Sequence, residues 1–214
     1  MPKKHIILEL IEKGEGQHLD FKFEISDAAK IARSLCAFAN TGGGQLLIGV
    51  RDDGSISGAK SAEEIYMIKN AAENYCIPEV EFKSKNWLVN GKRVLSINID
   101  ASKLSPHKAP DHNGNYKAYI RVADQNMLAG GVQMKIWKKL NAFDDVNLVY
   151  TDEVRMILKL ITDNNMIPLS MLISQIKLSK FKIENILAEL IIMKVVKMIV
   201  SFDGVLYTLA DPEC

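Results

Sequence analysis

The sequence predicts an α/β domain followed by a smaller α+β domain. Three observations carry this. Up to Asn141, stretches with helical apolar spacing alternate with short apolar or alternating stretches of strand type. Between Ala37 and Gly54 the chain runs through a helix end, three consecutive glycines, an apolar strand and an Asp-Gly turn, with almost nothing between them. After Asn141 the character changes to three helical pieces and two final apolar runs around Phe202-Asp203-Gly204.

The elements follow in order. Ile6, Ile7, Leu10 and Ile11 have helical spacing over 3–13, and Gly14 and Gly16 end the helix. Leu19–Phe23 alternates as a strand does. Ser26 is placed to cap a helix over 27–39, with Asp27 in its first turn and Ala28, Ile31, Ala32, Leu35 and Phe38 on its apolar face. Gln45–Val50 is a buried strand, and Asp53-Gly54 turns it toward Ile56–Gly58. Ser61 opens a helix over 62–76, with Glu64 completing a capping box, and Pro78 stops it. Val80–Ser84 and Trp87–Val89 pair as strands, Asn90-Gly91 turns into Arg93–Ile99, and 101–114 forms a loop. Tyr116–Val122 is the last strand and Gln133–Lys139 a short helix. Glu153–Thr162, Leu169–Ile176 and Lys180–Met193, followed by a hairpin of Val195–Val200 and Val205–Leu209, follow the plan of a winged helix. These patterns place the domains at 1–141 and 151–214, with the boundary near Asp144-Asp145.

The chain has 214 residues, 48% hydrophobic and 25% charged, with a net charge of +1. A globular core is available, and any basic patch has to be local rather than global. The three cysteines Cys36, Cys76 and Cys214 lack metal or disulfide spacing, and Cys36 lies in a core pattern. A reducing cytoplasm fits this usage. Neither a signal peptide nor a membrane span is expected.

The triple glycine has two readings. Its N–H groups can cradle a phosphate, or Thr41–Gly44 can cap the helix and reverse the chain into the strand; the cap is favoured. No Gly-x-Gly-x-x-Gly or P-loop ending is present.

One ordered series stands out. It comprises Glu15, Asp20-Phe21-Lys22, Ala37-Phe38-Ala39-Asn40-Thr41, Gly42-Gly43, Leu46–Val50, Asp52, Gly54 and Ile56-Ser57-Gly58. Downstream it continues with Ser105-Pro106-His107 and Tyr119-Ile120-Arg121-Val122. This series resembles the AlbA_2 domain, which also forms part of the vertebrate Schlafen core, over roughly residues 10–130. The resemblance implies an α/β fold with a mixed sheet and a nucleic-acid-binding role. It also implies an alternative, a metal-dependent ribonuclease or endonuclease, whose three carboxylates fall here on Glu15, Asp20 and Asp52. The second is Asp where the family usually has Glu, and Ala123 stands where Gly usually follows the Arg-Val pair. Hard Mg²⁺ or Mn²⁺ would suit such oxygen ligands, although DNA binding itself requires no cofactor.

Basic residues mixed with aromatics suit a nucleic-acid surface. Lys83, Lys85, Lys92, Arg93, Lys103, Lys108, Lys117 and Arg121 interleave with Trp87, Tyr116 and Tyr119. Lys22 can neutralise a phosphate. Arg121 either faces phosphate or pairs with a carboxylate such as Asp52. His107 and His112 flank Lys108 and are read as parts of a surface loop. In the C-terminal part, Lys180 and Lys182 mark the outer face of the third helix, the usual DNA reader of a winged helix. Seven Lys or Arg against eight Asp or Glu over 151–214 make that face only weakly basic.

The expected function is therefore a cytoplasmic DNA- or RNA-binding protein, with DNA favoured, acting as a transcriptional regulator. Phosphate-binding candidates are Lys22, Lys108, Lys117, Arg121, Lys180 and Lys182. An oligomeric interaction scaffold, such as a homodimer, is the remaining alternative.

Overall fold

The computed structural model describes residues 5–142 and 149–211, in two compact units, one reaching Ala129 and the other starting at Gly130. The Asp144-Asp145 boundary and Cys214 lie outside the described residues.

In the first unit, β1 (Leu19–Lys22), β2 (Gly44–Ile48), β3 (Lys83–Val89) and β4 (Lys92–Ile99) form one sheet in the order β1-β2-β4-β3. β1 and β2 are parallel, with Asp20 opposite Leu46, whereas β4 is antiparallel to both β2 and β3. The sheet is thus mixed. Helix α2 (Ala28–Thr41) makes the crossover that a parallel pair requires. Strand alternation splits the side chains between two faces. Leu46, Ile48, Leu95 and Ile97 pack on α2 and on α3 (Ser61–Asn74). Phe21, Leu47 and Val94 pack with Ile7 of α1 (Ile6–Lys13) on the other face. A second sheet, β5 (Lys108–Pro110), β6 (Tyr116–Val122) and β7 (Gln125–Leu128), packs on α2 as well. Nine of the fourteen residues of α2 are buried as a result.

Several boundaries differ from the sequence expectation for local reasons. Asp27, not Ser26, caps α2, because its carboxylate accepts the Lys30 N–H at 3.1 Å. Lys60 precedes α3 without a side-chain cap, and the Glu64 carboxylate instead accepts from the Lys60 backbone. The two short strands expected over 80–89 are one strand, β3. It turns at Asn90-Gly91, both with positive φ, directly into β4. β5 lies inside the expected loop 101–114, and β7 adds a strand that the sequence pattern did not mark.

The glycine segment reverses α2 into β2. The Gly43 N–H bonds back to the Phe38 carbonyl at 2.9 Å, and Gly43 has φ +74. A Cβ on Gly43 would come within 2.7 Å of the Ile99 carbonyl, and one on Gly44 would run into the Phe38 ring. These glycines serve close packing at a chain reversal.

The second unit contains α4 (Gly131–Asn141), α5 (Asp152–Asn164), α6 (Leu169–Gln175) and α7 (Lys180–Ile192). β8 (Ile167–Pro168), β9 (Val196–Ser201) and β10 (Gly204–Leu209) form an antiparallel sheet in the order β8-β10-β9. This is an α+β arrangement around one core that includes Ile157, Ile161, Leu172, Ile183, Leu187 and Tyr207. The sequence pattern placed α4 with the first domain. Its packing is with α7, and Val132 and Ile136 belong to the core of the second unit.

Candidate nucleic-acid surface and carboxylate cluster

The polar stripe of α2 organises the first unit. Arg33, Ser34, Ala37, Asn40 and Thr41 recur at helical spacing on one face. The Arg33 guanidinium donates to the Pro110 carbonyl at 3.0 Å, and Ser34 Oγ accepts from the Asn126 amide at 2.9 Å. The Asn40 amide donates to the carbonyls of His107 (2.7 Å) and Tyr119 (2.9 Å), while its Oδ1 accepts from the His107 N–H at 2.7 Å. Thr41 Oγ1 accepts from the Arg121 N–H at 2.9 Å. Asn40 and Thr41 are thus the clamp for the second sheet. Sequence reasoning used them only as motif letters. The available signal was their helical spacing with Arg33 and Ser34, which makes a second, polar stripe beside the apolar face.

Arg121 is the hub. The residue is 3% exposed, and its guanidinium lies 5.0 Å from the centre of the Phe38 ring. The guanidinium reaches Asp20 Oδ1 at 3.3 Å, the carbonyls of Gly16 (3.2 Å) and Leu19 (3.4 Å), and Asn126 Oδ1 at 3.1 Å. Of the two readings of Arg121, the pairing with a carboxylate is the one seen, but the partner is Asp20 in the interior rather than Asp52. The cause is the packing of β6 on α2, which puts each nitrogen of the fork within reach of a protein oxygen.

The carboxylates divide. Asp20, 3% exposed, is held by Arg121 and by Lys22 at 2.7 Å. Glu15 accepts the Phe21 N–H at 2.7 Å and hydrogen-bonds Asp20. Burial raises the Glu15 pKa, and the contact with Asp20 raises it further against the lowering effects of the Phe21 N–H and Lys22. Asp52 lies in the exposed turn after β2, and no three His, Cys, Asp or Glu side chains come together as a metal site among the described residues. The donor set does not fit a three-carboxylate Mg²⁺ or Mn²⁺ centre. Two carboxylates are together, but Asp20 is ion-paired to both Arg121 and Lys22, and Glu15 Oε1 accepts a backbone N–H.

His107 also departs from its surface reading. It is 2% exposed, with Nδ1 2.8 Å from the Pro78 carbonyl and Nε2 2.7 Å from Ser102 Oγ. A carbonyl only accepts, so Nδ1 carries the proton and Nε2 accepts from Ser102. Burial pushes the His107 pKa down, with the Pro78 carbonyl opposing. The loop residue is a core plug because β5 draws it under α2.

The remaining basic candidates lie nearer to solvent. Lys22 is half-buried and donates to the Phe21 carbonyl as well as pairing with Asp20. Lys108 is half-buried on β5, and Lys117 is exposed on β6. Lys180 lies 3.9 Å from Glu184, and Lys182 binds Glu153 at 2.6 Å, a hydrogen bond that draws the Glu153 pKa down to about 2. On β3, at the edge of the main sheet, Lys83, Ser84, Lys85 and Asn86 are all exposed. Lys85 Nζ lies 3.8 Å from the centre of the Trp87 ring, on the same strand face, and Trp87 Nε1 donates to Ser96 Oγ at 2.9 Å. Arg51 likewise lies 5.0 Å from the Phe23 ring.

A mixed sheet crossed by a helix that a second sheet then covers defines an α/β domain built around one buried arginine. The chain belongs to the Schlafen AlbA_2 family, whose model matches residues 15–130, more than half of its length. It is similar to the crystal structure of the DIP2311 protein from Corynebacterium diphtheriae, at 23% identity over 57% of this chain, with a TM-score of 0.43. The chain covers 28% of that protein. It is also similar to the solution structure of the N-terminal domain of a RecG-related protein from Nitrosomonas europaea, described as a putative ATP-dependent DNA helicase. There the identity is 18% over 58% of this chain and 95% of that domain, with a TM-score of 0.37. No curated protein matches this chain significantly. Among the described residues no helix is long and apolar enough to cross a membrane.

Proposed function

We propose that this chain is a nucleic-acid-binding protein of the cytoplasm that acts on DNA in a regulatory role, mainly through phosphate contacts. Membership of the Schlafen AlbA_2 family supports a nucleic-acid-related role. The observation that carries the reading is the Lys85–Trp87 pair on the exposed edge strand β3. An exposed cation can meet phosphate there, held in place over the half-buried Trp87 ring, which the His5 ring contacts edge-on at 5.5 Å. Edge lysines also prevent strand pairing, but that task does not call for an indole under the ammonium.

The nuclease reading is not favoured, because no three carboxylates come together as a metal site among the described residues. Phosphate contact through Arg121 is not part of the proposal either, since its fork is spent inside the fold. The test is binding of a labelled DNA by fluorescence anisotropy across a salt series. Affinity should fall linearly on a log-log plot, by about 0.9 per phosphate contact. Lys85→Glu should lower the slope by about one contact. Binding that ignores salt, or no binding to DNA or RNA, overturns the reading. Size-exclusion chromatography of the same sample reads whether the bound species is a homodimer.

A further inference from the structure

The outer face of α7 is already occupied. Ile183, Ile186, Leu187 and Leu190 point into the core of the second unit. Phe181, Glu184, Asn185 and Ala188 recur at i, i+3, i+4 and i+7, on the opposite side of the helix. In a helix that reads DNA this side stands free to enter the major groove. Here Ala188 is 0% exposed and Glu184 is buried. Helix α4 covers them. A Cβ on Gly131, at the start of α4, would run into the Glu184 carboxylate, which therefore sits at the positive end of α4. Lys139 binds Glu189 at 2.8 Å, and Lys135 Nζ lies 3.4 Å from the centre of the Phe181 ring.

Size excludes joint insertion. A helix with its side chains is about 10–12 Å across and fills a major groove of about 12 Å. A packed pair with axes about 8–10 Å apart is too wide. What the pair does offer is a cleft of about 250 Å³ lined by Lys135, Lys138, Lys139, Ala142, Phe181 and Asn185. Phe181 is 67% exposed, and the three lysines follow one helix at i, i+3 and i+4.

We propose that α4 blocks the duplex-reading face of α7, and that the α4–α7 cleft is a site for single-stranded nucleic acid. A base stacks on the free part of Phe181, Asn185 offers hydrogen bonds, and Lys135 and Lys138 meet the flanking phosphates. This rests on the nucleic-acid reading above and adds its strand preference.

The test uses the full chain with a labelled oligo-dT and a duplex of equal length at one salt concentration. Phe181→Ala and Lys138→Glu, both at exposed positions, should each weaken oligo-dT binding at least about five-fold, while the thermal midpoint stays unchanged. Duplex binding should change less. Unaltered oligo-dT binding by both variants overturns this inference and leaves the wider reading intact. A larger loss for duplex than for oligo-dT overturns it too, as does displacement of oligo-dT by an acidic peptide at equal concentration. Absence of any nucleic-acid binding by the parent overturns both.

Discussion

Arg121 over Phe38 and Lys135 over Phe181 are the same contact in two surroundings. Each places a cation against an aromatic ring, at 5.0 and 3.4 Å. Arg121 is buried and tied to Asp20, two carbonyls and Asn126, so its charge is consumed in holding β6 against β1 and α2. Lys135 is half-buried beside a largely exposed ring that opens into a cleft. Lys85 over Trp87 is the equivalent open pair in the first unit. A cation–π contact by itself thus says nothing about role. The number of protein oxygens that already satisfy the cation separates a structural pair from a surface that can take a phosphate.

Mutations can break this contrast. Arg121→Met should have the largest effect. It leaves the buried Asp20 carboxylate to Lys22 alone and empties four polar contacts of the hub, and should cost about 3 kcal/mol in urea unfolding. A second change, Asp20→Leu, should recover part of that loss, and a cost under about 1 kcal/mol for Arg121→Met alone would mean that the network is dispensable. Asn40→Ala removes three hydrogen bonds at the same seam and should cost about 2–3 kcal/mol, with hydrogen exchange rising first in β5 and β6.

The next effect is pH-dependent. The folded-state pKa of Glu15 lies above its unfolded value. Its contribution is therefore intact below the ordinary carboxylate range and is lost as pH rises through the folded pKa. Glu15→Gln should be neutral near pH 4 and stabilise the protein at pH 7 by at most about 1 kcal/mol. A larger gain at pH 4 than at pH 7 would refute the assignment. The open pair should give the smallest stability effect: Lys85→Glu should stay within about 0.5 kcal/mol of the parent, yet weaken DNA binding. Equal losses of stability for Lys85→Glu and Arg121→Met would erase the distinction between the two surroundings.

Much of the fold was legible from local pattern. The alternation at Leu19–Lys22, the apolar stripe of α2, the Asn90-Gly91 hairpin and the helix-to-strand reversal at Gly42–Gly44 all depend on neighbours within a few positions. The ordered motif from Glu15 to Val122 identified the family. β5 and β7 were missed because three- and four-residue strands carry too little periodicity, and their pairing partner β6 alone defines them. The site was less legible. Arg121, His107 and Asp20 have the composition of surface or catalytic groups and occupy the interior.

Sequence alone specified which residues can form helices, strands and turns, and in what order, because those preferences rest on short-range sterics and on 3.6- or 2-residue periodicity. Tertiary structure decided which charges remain available. Arg121 reaches the Leu19 carbonyl across 102 positions, Asn40 reaches Tyr119 across 79, and Lys139 reaches Glu189 across 50. Whether a cation is spent on the fold or left for a ligand depends on partners brought together only by packing, and no local pattern encodes them.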